Sequence, residues 1–109
     1  MKSFLTHLEC TWCGNTLTAD EPVRTCPECG KVLFARYDLQ EAGRRLDRKK
    51  LGHRDASMWR YFEVLPVRDE ARVVTLGEGF TPLFRAERLG KRVGSRSLYI
   101  KDEGLNQIG

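Results

Sequence analysis

Apolar and polar residues roughly alternate from Phe4 to Glu9, which predicts a strand. Two shorter stretches, Thr16 to Asp20 and Val23 to Thr25, read as strands joined by a turn at Asp20-Glu21-Pro22. Val32 to Tyr37 is apolar and partly β-branched and predicts a further strand. The period then changes. Asp38 is placed as a helix N-cap, and Leu39, Ala42, Leu46 and Lys50 share one narrow helical face. Gly43 weakens that helix by up to about 1 kcal/mol relative to alanine. Gly52 to Ser57 reads as a linker.

Met58 to Leu65 is the most aromatic stretch, with Trp59, Phe62 and Leu65 brought together at helical spacing and Pro66 ending the element. Its reading is a hydrophobic anchor rather than an aromatic binding platform, because such stripes are usually buried. Val73 to Leu76 predicts a strand and Gly77-Glu78-Gly79 a loop. Thr81-Pro82 predicts a helix start, with Leu83, Ala86, Leu89 and Val93 on its apolar side and Gly94 at its end. Ser97 to Lys101 predicts another strand. A strand–helix–strand unit alone cannot bury both its faces. The C-terminal third is therefore expected to open a larger α/β domain.

The chemistry is concentrated in cysteine. Cys10-Thr11-Trp12-Cys13-Gly14 is followed, after twelve residues, by Cys26-Pro27-Glu28-Cys29-Gly30. A tetrahedral zinc takes four thiolates, and each C-x-x-C bend supplies two from one turn. The glycine after each pair suits a bend that needs positive φ. Cys10, Cys13, Cys26 and Cys29 are thus the expected ligands of one structural Zn²⁺ in a zinc ribbon. Four protein ligands leave no open position for catalysis. A thioredoxin-like redox site would use one C-x-x-C inside a βαβ unit, which is absent around either pair. His7 is read as a strand residue, not a ligand.

Composition adds exclusions. The 109 residues are 40% hydrophobic and 31% charged, the profile of an ordinary folded chain. Apolar runs are far shorter than the ~20 residues of a membrane span, and Met1 to Glu9 lacks a signal-peptide pattern. A cytoplasmic protein with reduced thiols and no membrane partner is expected. The net charge of +4 is uneven: −2 over residues 1–30, +5 over 31–60 and +1 over 61–109. Arg44, Arg45, Arg48, Lys49 and Lys50 read as a solvated face. His53-Arg54-Asp55 matches a kinase triplet in letters only.

Longer motifs carry a family resemblance. Thr75-Leu76-Gly77-Glu78-Gly79-Phe80-Thr81-Pro82-Leu83 resembles the T-L-G-E-G-x-T-P-L segment of threonine synthases, and Leu98-Tyr99-Ile100-Lys101-Asp102-Glu103-Gly104-Leu105-Asn106 their L-Y-x-K-D-E-G-x-N. Phe4 to Cys10 with the ribbon is similar to the N-terminal extension of many members, and Trp59-Arg60-Tyr61 through Leu65-Pro66-Val67 to their W-R-Y…L-P entry. The resemblance implies a fold-type II pyridoxal-phosphate (PLP) enzyme. It would be a lyase of threonine biosynthesis, converting O-phosphohomoserine and water to threonine and phosphate. It also implies a small-molecule substrate for the complete enzyme, with a homo-oligomer as a further expectation.

The family's segment runs on into P-T-G-S-F-K, whose lysine forms the Schiff base. Here Asn106 and Gly109 match, Gln107 and Ile108 replace proline and threonine, and S-F-K does not occur. None of the six lysines, Lys2, Lys31, Lys49, Lys50, Lys91 and Lys101, lies in such a loop. Lys101 reads as a structural charge near Asp102 or Glu103. No catalytic and no cofactor-binding residue is assigned, and the chain alone is expected to be inactive. The expected architecture is an α+β fragment. It has a zinc ribbon over 1–37, a helical linker and aromatic anchor over 38–66, and the opening strand–helix–strand of a truncated fold-type II α/β domain over 67–109. The alternative is a stand-alone zinc-ribbon module binding nucleic acid or a protein partner. Nucleic acid is disfavoured because four thiolates on Zn²⁺ add −2 to an already acidic ribbon.

Overall fold

A computed structural model describes residues 1–107; Ile108 and Gly109 lie outside the described residues. The chain forms two compact units. One comprises residues 1–55 and 59–73, and the other residues 56–58 and those from 74 onward.

The first unit is built on a three-stranded antiparallel sheet of order β2-β1-β3, with β1 at Leu5–Cys10, β2 at Thr16–Thr18 and β3 at Leu33–Tyr37. Leu8 stands opposite Leu17 on one side and Ala35 on the other, and Cys10 opposite Leu33. The β1–β3 register shifts between Leu5 and His7, where the Thr6 hydroxyl donates to the Arg36 carbonyl at 2.9 Å. Such a bulge bends the strand locally. Val23 to Thr25 forms no strand, contrary to expectation. Three strands complete the sheet without it, and the turn-forming knuckle at Cys26 follows directly.

Asp38 caps α1 (Leu39–Arg45) as expected, its carboxylate accepting from the Glu41 N–H at 2.9 Å. The helix is shorter than its apolar stripe. Leu46 is extended at ψ 103°, and Asp47 starts a separate short helix, α2 (Arg48–Leu51), by accepting from the Lys49 N–H. Asp47 offers a local cap that competes with helix continuation. Only Ala42 of the stripe is buried, and Leu39 is exposed.

The buried apolar residues of this unit are Leu5, Ala42 and Phe62, and Cys10 and Cys26 in the two knuckles. Phe62 lies in a 3₁₀ stretch, Met58–Val64, and is 1% exposed. It therefore acts as the anchor, with Trp59 and Leu65 only half-buried. Backbone ties hold the stretch to the start of β1. The Phe4 N–H donates to the Glu63 carbonyl at 2.9 Å, and the Ser3 hydroxyl to that of Leu65 at 2.6 Å. Beside them Arg54 grips Glu63 through two hydrogen bonds, at 2.6 and 2.8 Å.

The second unit holds β4 (Leu83–Arg85), α3 (Glu87–Val93) and β5 (Tyr99–Lys101). The two strands pair antiparallel, Phe84 opposite Ile100, rather than as neighbours in a parallel sheet. Val73 to Leu76 is not a strand, and the helix begins at Glu87 instead of Thr81. The physical reason is pairing. Residues 83–85 gain a ladder with 99–101, and the Thr81 hydroxyl that would have capped a helix donates to Glu103 at 2.8 Å. Gly94 ends α3 at φ 72°, the left-handed conformation that favours glycine. Leu83, Phe84, Leu89, Val93, Tyr99 and Ile100 are all exposed. No helix among the described residues is long and apolar enough to cross a membrane.

Candidate metal centre

The first knuckle follows the end of β1, and the second lies just ahead of β3. β1 delivers Cys10, and the chain reverses so that the Cys10 N–H donates to the Asn15 carbonyl at 2.8 Å. In the second knuckle the Cys26 N–H donates to the Lys31 carbonyl at 2.9 Å and the Gly30 N–H to the Cys26 carbonyl at 2.8 Å. Gly14 and Gly30 follow the two pairs at φ 73° and 71°. That backbone state carries a steric penalty for residues with a Cβ. The Thr11 N–H donates to the Val32 carbonyl at 3.0 Å, joining one knuckle to the chain leaving the other.

This brings the sulfurs of Cys10, Cys13, Cys26 and Cys29 within 4.8 Å of one another. The Cys10–Cys29 separation is 3.4 Å, and Cys13 lies 3.6 Å from both Cys26 and Cys29. A tetrahedron with Zn–S bonds of about 2.3 Å has edges of about 3.8 Å. The sulfurs are thus spaced for one small ion, and too far apart to be bonded as disulfides. His7 stays in β1 with its Nδ1 2.9 Å from the Thr6 hydroxyl, outside the four-sulfur group.

As thiols the four groups differ. Burial pushes Cys10 up, but N–H groups of Cys13 and Trp12 aimed at its sulfur outweigh burial and bring it down to about 6. Cys26 is lowered in the same way, burial being outweighed by the N–H groups of Cys29 and Glu28. At Cys13 the Asn15 N–H favours the thiolate, yet burial and the three neighbouring sulfurs push the group up to about 12. Cys29 is also raised: the Lys31 N–H opposes burial and the Cys10 sulfur, and loses. One sulfur of each knuckle is therefore the more easily ionised, while its partner resists a second negative charge nearby. A divalent cation removes that resistance, which is how metal binding and thiol deprotonation are coupled. The Asn15 side-chain amide, 4.0 Å from the Cys26 sulfur, also faces this charge. Nothing in the spacing of the cysteines singled it out.

In the second unit the Gly77-Glu78-Gly79 loop is internally satisfied. Glu78 is buried and accepts from the Thr75 hydroxyl at 2.6 Å and the Leu76 N–H at 2.8 Å. The Gly79 N–H points to the Asn106 side-chain oxygen at 3.5 Å. Lys101 donates to the Thr81 carbonyl and lies 3.8 Å from Glu103. It is a tethered charge. Sequence reasoning missed the buried role of Glu78. An acid between two glycines was the available signal.

A three-stranded antiparallel ribbon whose turns gather four cysteines defines a small metal-site module that fits a zinc ribbon. Comparison with known proteins gives the relationship. The chain is 45% identical to threonine synthase of Methanocaldococcus jannaschii over 100 residues, which is 92% of this chain and 24% of that protein. It is 39% identical to threonine synthase of Methanosarcina acetivorans over 103 residues, 94% of this chain and 24% of that protein. Threonine synthase of Halalkalibacterium halodurans is 47% identical over 58 residues, about half of this chain. The chain is thus related by sequence to the threonine synthases along nearly its whole length, and spans about a quarter of the length of those first two relatives. No family model and no solved structure matches it.

Proposed function

We propose that these residues are the opening part of a threonine synthase, an enzyme forming threonine and phosphate from O-phosphohomoserine and water with PLP. The observation that carries this reading is 45% identity across 92% of the chain. The ribbon holds one structural Zn²⁺ through Cys10, Cys13, Cys26 and Cys29 and takes no part in the reaction. Four thiolates fill the shell of the ion. PLP supplies an electron sink once it is bound as an imine to a lysine. None of the six lysines of this sequence lies in an S-F-K segment, so no step of the reaction is assigned to these residues. The units match an opening role: the ribbon closes on its own metal, while the apolar strands of the second unit await cover.

Two measurements test the reading. The nucleotide sequence beyond the Gly109 codon, read in three frames, should encode S-F-K followed by a long α/β continuation; its absence from every frame overturns the enzyme reading. Elemental analysis of purified full chain should give about one zinc per chain. Protein that keeps its ribbon amide dispersion after complete chelation overturns the structural role of the metal.

A further inference from the structure

The four cysteines are unequal in exposure. Cys10 and Cys26 are 3% and 2% exposed, Cys29 is half-buried, and Cys13 is exposed. The difference follows from the fold. Cys10 is the last residue of β1 and Cys26 lies in the second knuckle, both buried, whereas Cys13 closes the exposed turn after β1. The exposed cysteine also has a suitable neighbour. The half-buried Cys29 is 3.6 Å away on the other knuckle.

We propose that Cys13 is the oxidation-sensitive ligand of the centre. A peroxide attacks it first, and Cys29 then closes an inter-knuckle disulfide that expels the metal. The inference rests on the zinc reading above. In the first step the Cys13 thiolate attacks one oxygen of hydrogen peroxide. The O–O bond breaks, hydroxide leaves, and a sulfenic acid forms. In the second step the Cys29 thiolate attacks the Cys13 sulfur, and its oxygen leaves as hydroxide. The two sulfurs give up the two electrons that reduce the peroxide. The sulfurs must close from 3.6 Å to the ~2.05 Å of a disulfide, a movement of side-chain scale. Zinc is left with Cys10 and Cys26 alone, too few ligands to hold it. Buried Cys10 and Cys26 are shielded by the packing that shields the rest of the core, so attack there requires the ribbon to open first.

The test uses the zinc-loaded full chain in two arms. A brief pulse of iodoacetamide, followed by mass spectrometry, should label Cys13 about tenfold faster than Cys10 or Cys26. Hydrogen peroxide should release zinc, followed with a chromogenic chelator, in step with a Cys13–Cys29 cross-link. Cleavage after Glu28 separates Cys26 from Cys29 and identifies the partner. Labelling of Cys10 or Cys26 at an equal or greater rate overturns the proposal. So does zinc release with Cys10–Cys13 or Cys26–Cys29 as the first disulfide. Metal analysis before treatment separates the two failures: absence of zinc at that stage overturns the zinc reading and this proposal with it.

Discussion

Removing the Arg54 side chain tests the packing of the first unit at its most demanding point. Glu63 is 5% exposed, and its carboxylate is held by both arms of the Arg54 guanidinium, at 2.6 and 2.8 Å. Arg54 also donates to the Arg60 carbonyl at 2.5 Å. These hydrogen bonds hold the Glu63 carboxyl below its ordinary range against the opposing effect of burial. Arg54→Ala strands a carboxylate in the interior. Breaking a buried pair from one side costs about 3–5 kcal/mol. The Arg54 side chain is 23% exposed, which places the effect near the lower end, about 3 kcal/mol. For a unit of this size that is a fall of roughly 12–24 °C in Tm, readable by circular dichroism with zinc in excess. The sign of the pH dependence follows. A depressed carboxyl stabilises the fold above its unfolded pKa, and this contribution is lost as pH falls through the folded value. In Arg54→Ala the stranded group is raised instead, so the deficit against the native chain should narrow between about pH 7 and about pH 5. Arg54→Met with Glu63→Leu should recover most of the loss by replacing both charges with apolar groups. A deficit below about 1 kcal/mol, or a double variant no more stable than Arg54→Ala, would refute the reasoning.

Phe62→Ala should cost about 3–5 kcal/mol by chemical denaturation, because the ring is 1% exposed and its removal leaves a cavity. Asp38→Ala should cost about 1 kcal/mol, the usual value of a lost N-cap, and leave zinc stoichiometry unchanged. PLP mixed with the chain should give no stoichiometric borohydride-trapped adduct at any one lysine after gel filtration; a single fully occupied site at Lys101 would contradict its tethering to Thr81 and Glu103. Amides of residues 74–107 should exchange faster than those of β1 and β3, since most apolar side chains of the second unit are exposed; equal protection would show that the unit is stable unaided.

The ribbon was legible because its determinants are local. Two C-x-x-C-G turns announce themselves within five residues each, and the glycines following them take the positive φ that the bends require. The Asp38 cap was legible for the same reason. Errors arose where a distant partner decides. Residues 83–85 carry a helix-compatible pattern, yet a ladder to residues 99–101 makes them a strand. The apolar stripe through Leu39, Ala42 and Leu46 suggested one helix, but the cap at Asp47 divided it. The Arg54–Glu63 grip spans a segment that read as linker, and no periodicity marks a pair nine residues apart. Glu78 was hidden likewise, because its burial depends on the folded loop around Thr75 and Leu76.

The four-cysteine group and the anchor at the other end of the sheet are linked through a short chain of contacts. β1 carries Cys10 at one end, and at the other its approach residues Ser3 and Phe4 bond to the carbonyls of Leu65 and Glu63. The Asp38 N–H, at the exit of β3, returns to the Phe4 carbonyl at 2.9 Å. The Arg68 guanidinium donates to the Leu5 carbonyl at 3.0 Å and pairs with Asp20 at 2.8 Å, just past β2. The buried apolar residues in this unit are few: Leu5, Ala42 and Phe62, with Cys10 and Cys26. A core this small leaves little margin once chain entropy is subtracted. For an ion held by the four sulfurs, binding free energy would be folding free energy, and β1 joins the sulfurs to the aromatic anchor. Loss of the ion should therefore loosen the Phe62 packing as well as the knuckles.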